Sequence, residues 1–321
     1  MDFAIQATQL ARRFGDNDAV AGINIAVASG EIYGFLGPNG AGKSTTVRML
    51  TTLLNPTGGS ARVAGFDVKQ QPEEVRLRIG VALQESALDP KQTGRELLDL
   101  QARLYGLTAT ERQWRLPELL DLVSIGDAID RRISTYSGGM KRRLDLAAAL
   151  VHQPEVLFLD EPTAGLDPVS RASVWDEVRY LNTALGMTIF LTTQYLEEAD
   201  ALANRVGIID HGKLVSEGTP VDLKRSIGAD VIIAKLDKGQ GDRVGSVLHD
   251  ISGVERVEVN GDEVTVSVDN GGTAISPIAI RLAERGIMVV ELTLRTPTLD
   301  DVFLHATGAR MRGEDTAVTE P

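Results

Sequence analysis

Residues 37 to 44 read Gly37-Pro38-Asn39-Gly40-Ala41-Gly42-Lys43-Ser44 and fit the template G-x-x-x-x-G-K-[ST] without a mismatch. In such a loop Gly37, Gly40 and Gly42 let the backbone curl so that successive N–H groups face phosphate oxygens. Lys43 supplies a point charge for β- and γ-phosphates, and Ser44 a hydroxyl for Mg²⁺. The loop constrains its surroundings, because it must join a buried strand to a helix N-terminus. The apolar run Ile32–Leu36 stands before it and the helix-like Thr45–Leu54 after it.

Other apolar runs stop at a polar residue in the same way. Ile79–Leu83 ends at Gln84, Val156–Leu159 at Asp160-Glu161, and Thr188–Thr193 at Gln194. Short continuous apolar runs separated by helical patterns predict an α/β fold with a parallel sheet covered on both faces. Ligands of such sheets sit beyond the carboxyl ends of the strands, so these endings are expected on one rim. The chain before residue 31, and Gly59–Val68, alternate like exposed strands and predict an antiparallel β lobe. Residues 86–136 carry helical periodicity with charged faces in Arg95–Leu107 and Glu111–Val123, predicting a helical subdomain over about 86–140.

A boundary is expected near residue 224, dividing 1–224 from an accessory domain over 225–306. The second part reads as strand 230–236, helix 242–251, strands 254–259 and 263–268, helix 273–285 and strand 287–294. Asn260-Gly261 is a hairpin signal. The order βαββαβ is that of a small α+β, ferredoxin-like module. A short helix, Leu299–Ala306, follows, and residues 307–321 read as a disordered tail.

The rest of the composition narrows function. The formal charge of −12 argues against nucleic acid as a partner, and the absence of cysteine excludes disulfides and thiolate metal sites. No secretory signal is read at Met1–Gln6, and no apolar run approaches the ~18 residues needed to span a bilayer.

Two further segments carry chemistry. In Tyr136-Ser137-Gly138-Gly139-Met140-Lys141-Arg142-Arg143, Ser137 reads as the N-cap of a helix whose stripe is Leu144, Ala147, Ala148 and Val151. The free N–H groups of that helix start are a natural anion site. Asp160 and Glu161 end an apolar strand, where adjacent side chains point opposite ways. Asp160 is expected in a Mg²⁺ shell, and Glu161 as the base that polarises an attacking water.

Across about residues 3–224 the chain resembles the ATP-binding subunit of an ATP-binding-cassette (ABC) transporter. The phosphate loop, Gln84, Ser137–Met140, Val156–Glu161 and Ala164-Gly165-Leu166-Asp167 stand in the family's order. The resemblance implies an ATPase whose phosphate loop, with Thr45, holds ATP, while Ser137, Gly138, Gly139, Met140 and Asp167 serve nucleotide in a sandwich dimer of two copies. It also implies Ser44, Gln84 and Asp160 at Mg²⁺, Lys43, Gln84, Glu161 and Gln194 in catalysis, and Phe14 against adenine. The resemblance further implies a separate membrane permease as partner and a place at the cytoplasmic face of the cell membrane.

Tyr136 and Met140 replace the family's more usual Leu and Gln, and Gln194 stands where most relatives carry histidine. These residues, with Leu299-Asp300-Asp301-Val302-Phe303-Leu304, resemble the daunorubicin/doxorubicin-resistance type of exporter ATPase. An importer ATPase, a cassette of DNA repair or translation, and a catalytically dead regulator are the alternatives. Repair cassettes insert a long coiled coil before the signature and translation cassettes are usually doubled; Lys43 and Glu161 together argue against a dead site.

Overall fold

The computed structural model describes residues 2–83, 88–123, 125–237, 239–240 and 244–307. Gln84 and the tail after Thr307 lie outside the described residues. The chain forms two compact units, Met1–Pro220 and Val221–Arg310.

The first unit is built on a six-stranded sheet. Its strands are β3 (Ile32–Leu36), β6 (Ile79–Ala82), β7 (Val156–Asp160), β8 (Thr188–Thr193), β9 (Arg205–Asp210) and β10 (Lys213–Gly218), in the order β10-β9-β3-β8-β7-β6. All neighbours pair parallel except the edge pair β9/β10. The two-residue period of a strand divides each run between two cores. Ile32, Leu157, Leu159, Ile189 and Leu191 join a cluster with buried residues of the helices. Tyr33, Phe35, Val156, Phe158 and Phe190 join one with the second sheet. Phe190 sits at the centre of that face, its ring 5.5 to 5.6 Å from Tyr33, Phe35 and Phe158. Burying such a side chain contributes about 1.5–3 kcal/mol.

The second sheet is the antiparallel lobe: β1 (Phe3–Phe14), β2 (Asn17–Ala28), β4 (Gly58–Val63) and β5 (Phe66–Asp67), ordered β2-β1-β4-β5. The helices of this unit are α1 (Lys43–Leu50), α2 (Pro72–Arg76), α3 (Gly94–Leu104), α4 (Ala109–Val123), α5 (Gly138–Leu150), α6 (Pro168–Leu185) and α7 (Leu196–Leu202). α3 opens on a capping box between Thr93 and Glu96, and α6 is capped by Asp167. α1 starts earlier and stops sooner than the expected Thr45–Leu54. Gly42 caps its start, and after Thr51 the chain turns out of the helix through Thr52, whose φ is 63°.

The second unit contains α8 (Pro220–Arg225), β11 (Asp230–Leu236), α9 (Gly245–Leu248), β12 (Val254–Asn260), β13 (Glu263–Val268), α10 (Gly271–Glu284), β14 (Val289–Arg295) and α11 (Leu299–Thr307). Its strands pair antiparallel in the order β12-β13-β11-β14, the ferredoxin-like arrangement. Ile232, Ala234, Val264 and Val266 meet Val247, Leu248, Ile278 and Leu282 in a core of its own. α9 covers Gly245–Leu248 of the expected helix 242–251, of which residues 242 and 243 lie outside the described residues. β14 starts later than Ile287, because Ile287 is buried and donates its N–H to Leu282 at the end of α10. Among the described residues no helix is long and apolar enough to cross a membrane.

Candidate active site

The loop 37–44 leaves β3 and enters α1 at the carboxyl rim of the large sheet. Two glycines are dictated by close approach. A Cβ on Gly37 would lie 2.4 Å from the Ile209 carbonyl oxygen, and one on Gly42, at φ 112°, 2.5 Å from that of Ala19. The second contact also seats the β1–β2 hairpin against the loop. α1 has no side-chain cap, so its first N–H groups stay open to an anion. Lys43 is buried, and its Nζ donates to the carbonyl oxygens of Gly37 at 2.7 Å and Pro38 at 3.1 Å. Burial holds this ammonium below lysine's ordinary value, opposed by Glu161 and then Asp160.

Asp160 and Glu161 follow from β7, the neighbour of β8. Ser44 Oγ donates to Asp160 Oδ1 at 3.3 Å, and the Lys43 Nζ lies 3.2 Å from Glu161 Oε1. Both carboxylates are buried. Glu161 takes a φ of 49°, a left-handed backbone that costs a residue with a side chain about 1–3 kcal/mol. Its N–H donates to both the carbonyl and the hydroxyl oxygen of Thr192, each at 3.1 Å. Ser44 and Asp160 present two hard oxygens on adjacent elements, a set that fits Mg²⁺. Among the described residues no group of three or more His, Cys, Asp or Glu side chains could hold a metal. Mg²⁺ is commonly held by one or two protein oxygens together with substrate phosphates and water, and Ser44 and Asp160 are of that kind.

Gln194 follows β8, half-buried, and the preceding Thr193 carbonyl accepts from Gly37 N–H at 3.3 Å. Phe14 is 45 % exposed at the end of β1, with the Arg12 guanidinium 4.5 Å from its ring centre. Ser137 caps α5, accepting from Met140 N, and both Ser137 and Gly138 face solvent. Gly138 lines a cleft of about 330 Å³ with Lys141, Arg142, Glu161 and Gly165. The Asp167 carboxylate is committed to the N–H groups of Val169 and Ser170 and to the Ser170 hydroxyl. Pro38, Asn39, Gly40, Ala41 and Thr45 lie on the loop and the first turn of α1. Gln84 lies outside the described residues, just past the end of β6.

Three residues that sequence reasoning missed join this rim. Thr192 donates its hydroxyl to Asp160 Oδ1. Glu198 of α7 is fully buried and accepts from Thr163 at 2.9 Å and Trp175 at 3.1 Å, and burial pushes its carboxyl up. Arg142 of α5 donates to the carbonyl oxygens of Leu83 at 2.8 Å and Asp160 at 3.4 Å. The one signal for Thr192 was a pair of threonines closing an otherwise apolar run.

A phosphate loop and a strand-end carboxylate pair on a parallel sheet, with an antiparallel lobe and a helical subdomain, define an ATPase of the ABC type. The ABC transporter family model matches residues 20–164, and residues 218–307 match that of the ATP-binding protein DrrA1-3-like C-terminal domain. The chain belongs to the ABC transporter family, as an ATP-binding and ATP-hydrolysing subunit. It is 45 % identical to the daunorubicin resistance ATP-binding protein DrrA2 of Streptomyces coeruleorubidus, over 96 % of each chain. Identity is also 45 % with the daunorubicin/doxorubicin resistance ATP-binding protein DrrA of Streptomyces peucetius, over 95 % of this chain and 92 % of that one. With the linearmycin resistance ATP-binding protein LnrL of Bacillus subtilis it is 35 %, over 96 % and 99 %. A solved ATP-binding subunit of an ABC transporter superposes with a TM-score of 0.64 at 27 % identity, over 70 % of this chain and 93 % of that one.

Proposed function

We propose that this chain is the ATPase subunit of a drug exporter, energising efflux of drugs or other small hydrophobic compounds through a separate membrane permease. Full-length similarity to drug-resistance ATP-binding proteins, in both units, supports the export reading over import. In this reading the subunit is held at the cytoplasmic face of the cell membrane by the permease, works as a dimer, and binds no nucleic acid.

The observation that carries the chemistry is the pairing of Lys43 with Glu161 beside Ser44 with Asp160. ATP phosphates would draw Lys43 from its loop carbonyls and occupy the open N–H groups of α1. Ser44 and Asp160, with Gln84, would hold Mg²⁺, which supplies charge to the β- and γ-oxygens when bound. Glu161 would take a proton from the attacking water, and Gln194, next to the residue that bonds Gly37, would orient that water. Phe14 offers an exposed ring for adenine stacking. Ser137, Gly138, Gly139, Met140 and Asp167 would serve the nucleotide of the second copy.

The test is reconstitution with the permease in a drug-sensitive host. ATP-dependent fall in intracellular anthracycline is expected, and its loss with Glu161→Gln. Hydrolysis by the purified complex without any effect on drug accumulation would leave the ATPase but remove the export reading.

A further inference from the structure

Thr192, next to last in β8, is fully buried and paired in register with Asp160 of β7. Its backbone carbonyl already provides the ladder acceptor for Glu161 N–H. A valine would fill this position and keep that ladder, so the hydroxyl needs another explanation. A buried hydroxyl is costly unless bonded, and this one spends both its capacities on the carboxylate pair. The O–H donates to Asp160 Oδ1, the same oxygen that accepts from Ser44, and its oxygen accepts the Glu161 N–H. The Asp160 carboxylate is thereby turned towards the phosphate-loop helix. The Glu161 amide is secured at the residue whose φ is 49°.

We propose that Thr192 is a positioning residue for hydrolysis, its one hydroxyl aiming Asp160 at Ser44 and clamping the backbone turn that presents Glu161. The inference rests on the roles of Asp160 and Glu161 proposed above. It assigns to β8 a control over the metal-holding oxygen and the base together, because a single atom bonds both residues.

Thr192→Val, Thr192→Ala and Thr192→Ser are compared in the full-length protein by thermal melting, by Mg²⁺ titration of ATP binding with turnover arrested by cold, and by ATP hydrolysis. Loss of an outer hydrogen-bond partner in such sites typically costs about 10–100-fold in metal affinity or activity. Val and Ala should therefore raise the Mg²⁺ concentration for half-maximal effect and lower kcat by that order, with KM for ATP little changed. Ser, which keeps the hydroxyl, should restore both. The Ser and Ala pair decides the question alone if the Val protein does not fold. Parental Mg²⁺ response and kcat in Val or Ala overturns the proposal, as does a Ser protein no better than Ala. A Glu161→Gln control separates the two levels: slow turnover there with a parental Thr192→Val defeats only the positioning role. Normal turnover in Glu161→Gln defeats the reading of the site itself.

Discussion

The Lys43 Nζ lies 3.2 Å from Glu161 Oε1, joining the first residue of α1 to the residue that follows β7. Both groups are buried, so each is the other's compensating charge until a phosphate replaces one side of the pair. Lys43→Ala should lose nucleotide binding or hydrolysis, because it removes the buried ammonium at the phosphate loop. Glu161→Gln should bind ATP and accumulate as an ATP-bound dimer, with kcat lowered by roughly 10²–10⁴-fold, the usual contribution of a general base. Nucleotide-binding titrations beside steady-state hydrolysis check both.

Ser137 is exposed at the start of α5, where its side chain caps that helix. Ser137→Arg should block hydrolysis while leaving the first encounter with ATP unchanged, because in the proposed sandwich the serine would serve the second copy's nucleotide. Size-exclusion chromatography with ATP in the Glu161→Gln background reads the dimer directly. A strictly monomeric preparation with the full rate of the assembled transporter is the outcome that sinks the sandwich.

Gln194 is tied to the phosphate loop through its neighbour Thr193, whose carbonyl accepts the Gly37 N–H. An amide can position water but does not change charge near neutral pH. Gln194→Ala should lower turnover by roughly ten- to a thousandfold with little change in ATP affinity. Gln194→His should stay active and gain a pH dependence in the imidazole range, about pH 6–7. PH–rate profiles of the two variants and the parent are the measurement.

Burial raises the Glu177 carboxyl to about 7, opposed by Arg143 and assisted by Asp176. A carboxyl whose folded value lies above its unfolded one binds more protons when folded. Its stabilisation is complete below the unfolded value and is lost as pH rises through about 7. Glu177→Gln should therefore flatten the parent's fall in melting temperature between about pH 4.5 and 7. Identical slopes for the two proteins would remove the assignment.

The second unit has its own core and offers no phosphate-binding or acid–base set among its described residues. Deleting the chain after Lys224 should leave ATP binding intact and reduce stability or coupling to transport. A folded, truncated protein without ATP binding is the contrary result.

Composition and order along the chain were enough for the class of fold. The octet at 37–44 joins a strand to a helix, and short apolar runs separated by helical patterns indicate strands buried on both faces. The ends of β3, β7 and β8 therefore had to share a rim, and Asp160, Glu161 and Gln194 with them. Which strands are neighbours was not written in any local pattern. Ser44 and Asp160 lie 116 positions apart and meet because β3, β8 and β7 adjoin, and that same adjacency puts the Thr192 hydroxyl between the Asp160 carboxylate and the Glu161 N–H. Glu198 stands beside other acidic residues in Glu197-Glu198-Ala199-Asp200, and only packing buries it against Thr163 and Trp175. Periodicity reports which face of an element is apolar. Desolvation, ion pairing and shared hydrogen bonds depend on distances across elements, and only the assembled sheet sets those.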